Sequence, residues 1–254
     1  MTGEIGISLG LRQLDSAGGG SVPYAASAVH FDGLSWLLND ALATTDNAFF
    51  SFSFWMKLQT VDDTTDPFVC DPDGQSSPFM YFNAGFVSNF YAGIPPNFMS
   101  LSDQDGPYLD YTIWHHFLGA MDGQNQIIKV YIDDVPYGDL GVNGTPFDFN
   151  MNGKPFSVGG NTFGEEVIGD LADAWFAPGV NLLTGGNIVE STRRKFISST
   201  LKPVDLGMDG STPTGAAPTI FFSGDATAFS TNQGTGGTFT LTGSLTNAST
   251  SPSD

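Results

Sequence analysis

From Phe50 to Lys57 the chain reads Phe-Ser-Phe-Ser-Phe-Trp-Met-Lys, large side chains at every second position, which is the period of a strand with one buried face. The same signature recurs in short runs separated by turn residues. Ala28-Val29-His30-Phe31 stops at Asp32-Gly33. Trp114-His115-His116-Phe117-Leu118-Gly119-Ala120 and Ile127-Ile128-Lys129-Val130-Tyr131-Ile132 flank Asp122-Gly123-Gln124-Asn125, a hairpin signal. Phe156 to Gly160 and Ile168 to Phe176 add two strands, closed by Pro178-Gly179. Two Asp- and Pro-broken stretches, Asp62 to Asp73 and Asn89 to Gly106, are expected to be long surface loops.

Outside this core the pattern changes. Ile5, Ile7, Leu9 and Leu11 alternate with Gly, Ser, Gly and Arg, and a Gly-rich hinge follows at residues 17–21. Such a strand folds back on its own domain or adds to a neighbour's sheet edge, and both remain open. One helix is expected, with Asn187 as N-cap, Glu190 three residues on, and an end near Ser198 to Thr200. Its Arg193, Arg194 and Lys195 form either a solvated face near the C-terminal dipole or a docking point for an acidic neighbour. Past Pro203 the chain is rich in Gly, Thr and Ser but keeps strand-like runs at 219–222 and 238–242, and the tail from Asn247 to Asp254 is expected to be loose. The organisation is thus an arm and hinge (1–21), a sandwich (22–180), a helical segment (181–206) and a C-terminal β extension (207–254).

Composition narrows the function. A chain of 254 residues buries roughly 70–75% of its unfolded surface, and its 22 Phe supply a sandwich core. A net charge of −19 repels phosphate backbones and excludes nucleic acid as a partner. Four of the 27 acids are Glu, so Asp dominates, as turns favour. Cys70 is the single cysteine, leaving no intrachain disulfide and reading as a buried thiol. No run of eighteen apolar residues and no basic-then-apolar leader is present, so folding in a cytoplasm without membrane insertion is expected.

The order Val29-His30-Phe31-Asp32-Gly33, Phe52 to Lys57, Trp114-His115-His116-Phe117 through Val130-Tyr131-Ile132-Asp133, then Ser157-Val158-Gly159-Gly160 with Ile168 to Ala174, resembles the laminin-G-like, pentraxin-like branch of the concanavalin A-like lectin and glucanase superfamily. The resemblance implies an all-β, two-sheet antiparallel jelly-roll sandwich, with the N-terminal strand arm, one short helix and a C-terminal β extension around it. Trp55 and Trp114 are placed on inward faces. It also implies calcium as the metal to consider, with Asp32, Asp170 and Asp173 as ligands, since calcium takes oxygen donors from loops. Turn-forming Asp explains the same residues without an ion. A softer resemblance links the arm, the basic helix and the segment from Pro213 to Gly237 to virion structural proteins of tailed bacteriophages.

Catalysis finds no support. Glycosidases of this fold use a Glu-x-Asp-x-Glu or similar strand, which is missing, and adjacent Glu165-Glu166 would point to opposite faces of a strand. His115 and His116 likewise face opposite ways, and no zinc spacing or nucleophile elbow occurs. Tyr81, Phe82, Phe90, Tyr91, Phe98 and Tyr108 offer either core packing or faces for sugar rings. The leading expectation is a non-enzymatic phage virion protein, a head decoration, head spike or tail component. It would assemble with itself as a homo-oligomer and with other virion proteins through Ile5, Ile7, Leu9, Leu11, Arg193, Arg194 and Lys195, and contact a host-surface glycan. It would fold in the host cytoplasm and work in the virion. Alternatives are a free carbohydrate-binding lectin module, calcium-dependent or not, and an atypical glycoside hydrolase.

Overall fold

A computed structural model describes residues 24–59, 65–70, 80–83, 86–94, 97–102, 110–137, 139–143, 146–160 and 167–254. In chain order the strands are β1 (Val29–Asp32), β2 (Trp36–Asn39), β3 (Phe49–Leu58), β4 (Thr65–Cys70), β5 (Met80–Asn83), β6 (Phe86–Ile94), β7 (Asn97–Ser102), β8 (His115–Asp122), β9 (Ile127–Ile132), β10 (Val135–Tyr137), β11 (Asp139–Asn143), β12 (Phe156–Val158) and β13 (Ile168–Pro178). Then come α1 (Glu190–Arg193), β14 (Ile220–Phe222), α2 (Ala226–Phe229), β15 (Thr240–Thr242) and β16 (Thr246–Asn247). They form two antiparallel sheets. The first runs β10-β9-β8-β3-β13-β1-β16 with β14 also on β13, and the second runs β11-β7-β6-β5-β4-β12-β2-β15. The chain is a two-sheet β-sandwich, as expected.

The alternation in β3 does the expected work: Phe50, Phe52, Phe54, Met56 and Leu58 all enter the core between the sheets. Phe176 of β13 is its hub, with ring centroids 4.5 Å from Phe68, 5.7 Å from Phe156 and 6.0 Å from Phe54. Gly119 of β8 lies opposite Phe52, and a Cβ there would meet the ring at 2.1 Å, so the glycine makes room for the aromatic.

Strand β13 carries a bulge. Its register on β3 shifts between Ala172 and Trp175, and Asp173 takes φ 48° at that point. The inserted residue reverses the alternation: Leu171 points into the core before it, and Ala174 and Phe176 after it. It also marks where the flank of β13 changes partner, from β1 at residues 168–171 to β14 at residues 174–176.

Several expectations need correction. The stretches expected as loops contain β4, most of β6 and all of β7: Asp66 and Pro67 sit inside β4, where its register on β5 shifts between Thr65 and Phe68, and β6 and β7 pair with each other as neighbouring antiparallel strands. The helix spans only Glu190–Arg193, follows an extended Val189 with no side-chain cap, and continues as turns to Ile197. Asn187 does not cap it; its Oδ1 accepts from Tyr131 Oη at 2.8 Å. A second short helix, α2, is capped by Asp225. The tail is not loose: β16 pairs with β1, and Ser253 Oγ accepts from the Ala26 amide at 2.9 Å. Trp55 faces away from the space between the sheets, among Ala28, Ala172 and Ile197. The arm residues Ile5, Ile7, Leu9 and Leu11, the Glu165-Glu166 pair and Tyr108 lie outside the described residues; Cys70, Tyr81, Phe82, Phe90, Tyr91 and Phe98 fall on β4 to β7, and of these six the backbone alone is described.

Removing the hub ring tests this packing. Phe176→Ala is expected to lower stability by about 3–5 kcal/mol, read as a reduced midpoint of urea unfolding with an unchanged slope.

Candidate functional site

The outer face of the first sheet is built from the residues that alternate with its core side chains. Leu118, Ala120, Tyr131 and Trp175 lie under Leu182, Ile188, Phe196 and Leu206, so the segment after β13 covers most of this face. Trp175 donates its indole N–H to the Gly210 carbonyl at 2.9 Å, which fixes the cover from its far side. The helical segment is pinned by its basic cluster. Arg193 Nε reaches Asp134 Oδ1 at 2.5 Å, Arg194 Nη2 bonds the other oxygen, and the Arg193 guanidinium sits 4.5 Å from the Tyr131 ring centre. Burial works against the Asp134 anion, yet the hydrogen bonds from Arg194 and Arg193 hold its carboxyl below the usual range. Lys195 Nζ donates to the Pro213 carbonyl at 2.9 Å. The cluster proposed for docking an acidic neighbour therefore finds an acid in its own chain, in the turn between β9 and β10.

Where that cover stops, a cleft of about 390 Å³ opens against Trp55, Lys57, Trp114, Leu201 and Thr250. Trp114 precedes β8 and is half-buried, not inward-facing as expected, and its indole N–H donates to Thr250 Oγ1 at 3.3 Å. The same hydroxyl accepts from Lys57 Nζ at 2.7 Å, and that ammonium lies 5.4 Å from the Trp114 ring centre. Ile113 and Leu201 remain 53% and 47% exposed at the rim. A fixed indole with apolar neighbours and hydroxyls around it matches a sugar ring, which has apolar C–H faces and a polar edge. The strand pattern from Trp114 to Ala120 points the indole inward, but β8 begins only at His115; the Thr and Ser run that completes the cleft carries no motif.

The three proposed calcium ligands do not converge. Asp32 is exposed and accepts from the Leu34 amide at 3.0 Å, closing its own turn. Asp170 is buried between His30 Nδ1 at 2.7 Å and Lys57 Nζ at 2.9 Å. Asp173 is buried too, its Oδ1 accepting from Tyr24 Oη at 3.0 Å and Ser223 Oγ at 2.7 Å. Among the described residues no group of three or more His, Cys, Asp or Glu side chains is placed to hold a metal. A cation at Asp170 would meet the Lys57 ammonium, so these residues do not fit calcium.

The two histidines part as expected of a strand. His115 Nδ1 pairs with Asp133 Oδ2 at 2.6 Å; burial opposes its charged form, but Asp133 prevails and its pKa is raised. His116 turns to the outer face beside Trp55, bonds Ser53 Oγ through Nε2 at 2.9 Å, and is pushed down to about 3 by burial. Neither lines the cleft.

The comparisons agree with this architecture. The family described as the concanavalin A-like lectin/glucanases superfamily, in its laminin-G form, matches residues 33–179, and the chain belongs to that superfamily. A putative carbohydrate binding protein from Bacteroides ovatus overlays with a TM-score of 0.53 at 12% identity, over 91% of this chain and 62% of that one. A heptameric SAP-like pentraxin from Limulus polyphemus gives 0.45 at 15% identity, over 65% and 80% of the two chains. Domain 4 of a GH43 extracellular arabinanase from Geobacillus stearothermophilus, in complex with arabinotriose, gives 0.40 at 20% identity, over 62% and 75%. No curated protein sequence matches the chain. At 12% identity the likeness to the Bacteroides ovatus protein speaks for the fold alone.

Asp173 provides a pH test. Burial raises its pKa to about 6, despite the Ser223 and Tyr24 hydrogen bonds, with the Asp205 charge adding to the rise. A carboxyl whose folded pKa is raised contributes stability below pH ~4 that is lost as pH climbs through ~6. Asp173→Asn stays neutral and tolerates positive φ. Relative to the parent, the variant is expected to gain on the order of 2–3 kcal/mol between pH 4 and pH 7.5, read by urea unfolding at both pH values.

Proposed function

We propose that the chain is a non-enzymatic bacteriophage virion structural protein, a head decoration, head spike or tail component, whose sandwich binds a host-surface glycan. The observation that carries the glycan reading is the Trp114 cleft, where one hydroxyl, that of Thr250, holds both the indole and the Lys57 ammonium in place. The superfamily, and the likeness to the putative carbohydrate binding protein of Bacteroides ovatus, support it. A hydrolytic reading lacks its chemistry there: among the described residues, Asp254 is the cleft's single carboxyl side chain, whereas glycoside hydrolysis uses a pair.

The virion reading draws on the alternating arm, the basic helix and the segment from Pro213 to Gly237, which resemble tailed-phage structural proteins. With Arg193, Arg194 and Lys195 engaged inside the chain, the assembly role falls to the arm. Calcium plays no part in this reading.

Both halves have direct tests. Trp114→Ala is expected to abolish glycan-array binding by a full chain that still unfolds cooperatively, with a midpoint lowered modestly by the lost packing on Trp55 and the lost Thr250 bond, and EGTA is expected to change nothing; retained binding would move the site elsewhere. Mass spectrometry of purified phage particles is expected to find the protein, and deletion of residues 1–20 is expected to prevent its incorporation. Normal incorporation without the arm would overturn the assembly role.

A further inference from the structure

The Trp114 cleft has a neighbour. A second cleft of about 310 Å³ opens on the other side of the C-terminal tail, and the two share Thr250, Ser251 and Asp254 as common wall. The tail is therefore a narrow ridge between them. It is held down along its length: the Ala248 amide donates to the Ala28 carbonyl at 2.9 Å, Thr250 takes the bonds from Lys57 and Trp114, and Ser253 accepts from Ala26. The Lys202 ammonium also bonds the Asp254 carbonyl.

The two sides of the ridge differ in chemistry. On one side stand Trp114 and the exposed apolar rim of Ile113 and Leu201. On the other stand polar groups, with Ser27, Asp225, Asn247 and Ser249 all exposed. Each cleft alone sits at the small end of the range for ligand sites, roughly 300–1,000 Å³. A single ring would use one of them. An elongated molecule with an apolar face at one end and hydroxyls along its length would use both.

Charge narrows the class further. Lys57 is paired with Asp170, and Lys202 bonds a carbonyl, while Asp225 and Asp254 contribute carboxylates on a chain of net charge −19. A polyanionic chain would approach against that field.

We infer that the Trp114 cleft and its neighbour form one extended site for a neutral linear oligosaccharide, lying across the tail with one ring on Trp114 and later rings toward Asn247 and Ser249. This rests on the glycan reading above and adds ligand length, direction and charge to it.

The test is calorimetric titration of the full chain with linear arabino-, xylo-, cello- and N-acetylglucosamine oligosaccharides of one to six residues, and with polygalacturonate as a polyanion. In the series that binds, affinity is expected to rise at least tenfold between the disaccharide and the tetrasaccharide. Ser249→Tyr, which places a bulky group from an exposed position into the second cleft, is expected to erase that gain while leaving disaccharide affinity within about twofold. The double variant Ser27→Ala/Ser249→Ala, which removes hydroxyls without adding bulk, is expected to reduce it. Affinity independent of length, a length gain untouched by Ser249→Tyr, or tighter binding of polygalacturonate would each overturn the extended neutral site while leaving the single-cleft reading intact. Binding by none of the saccharides would sink both.

Discussion

The first sheet carries large apolar side chains on both faces, and the rest of the structure answers to that constraint. β3 and β13 send Phe50, Phe52, Phe54 and Phe176 toward the second sheet, yet send Trp55 and Trp175 the other way. A sheet of this kind needs two covers, and the second sheet can supply only one. The chain provides the other from its own sequence after β13, with Phe196, Ile197, Ile188 and Leu206 packed on the outer face. The clamp of Arg193 and Arg194 on Asp134 belongs to the same requirement, since it anchors the cover to the turn between β9 and β10.

The cleft is a by-product of incomplete cover. Trp114 lies at the margin where apolar surface emerges from under the segment around Leu201. Its indole stays ordered because the tail offers Thr250 to its N–H. Function and stability thus meet at one border, with the Asp170, Lys57 and His30 group just inside it.

Much of the fold was legible in the sequence. Period-two alternation located β1, β3, β8, β9 and β13, and Asp122-Gly123 marked its hairpin, because those signals are local. What escaped was non-local or broken. The bulge at Asp173 interrupts the alternation of β13 in a way that shows only once β1 and β14 compete for the same flank. The helix is shorter than its pattern suggests because the apolar residues Phe196 and Ile197 serve the turns that follow it and pack on the sheet. The basic cluster was readable as charge, but its partner Asp134 is about 60 residues away in sequence. The candidate site was the least legible part: Trp114 was seen but placed inward, and the Thr and Ser of the tail look like any polar terminus.

The last two strands tie these points together. β15 lies on β2, the edge of the second sheet, and β16 lies on β1, the edge of the first. A few residues of chain thereby span from one sheet to the other and cover one edge of each, β2 and β1, which would otherwise invite pairing with other chains, while β10 and β11 form the opposite edges. The family match ends at residue 179, well before either strand. The inherited module and the folding unit accordingly have different boundaries: a fragment cut at the homologous limits would keep the superfamily's sequence but lose its edge strands, its outer cover and one wall of its cleft.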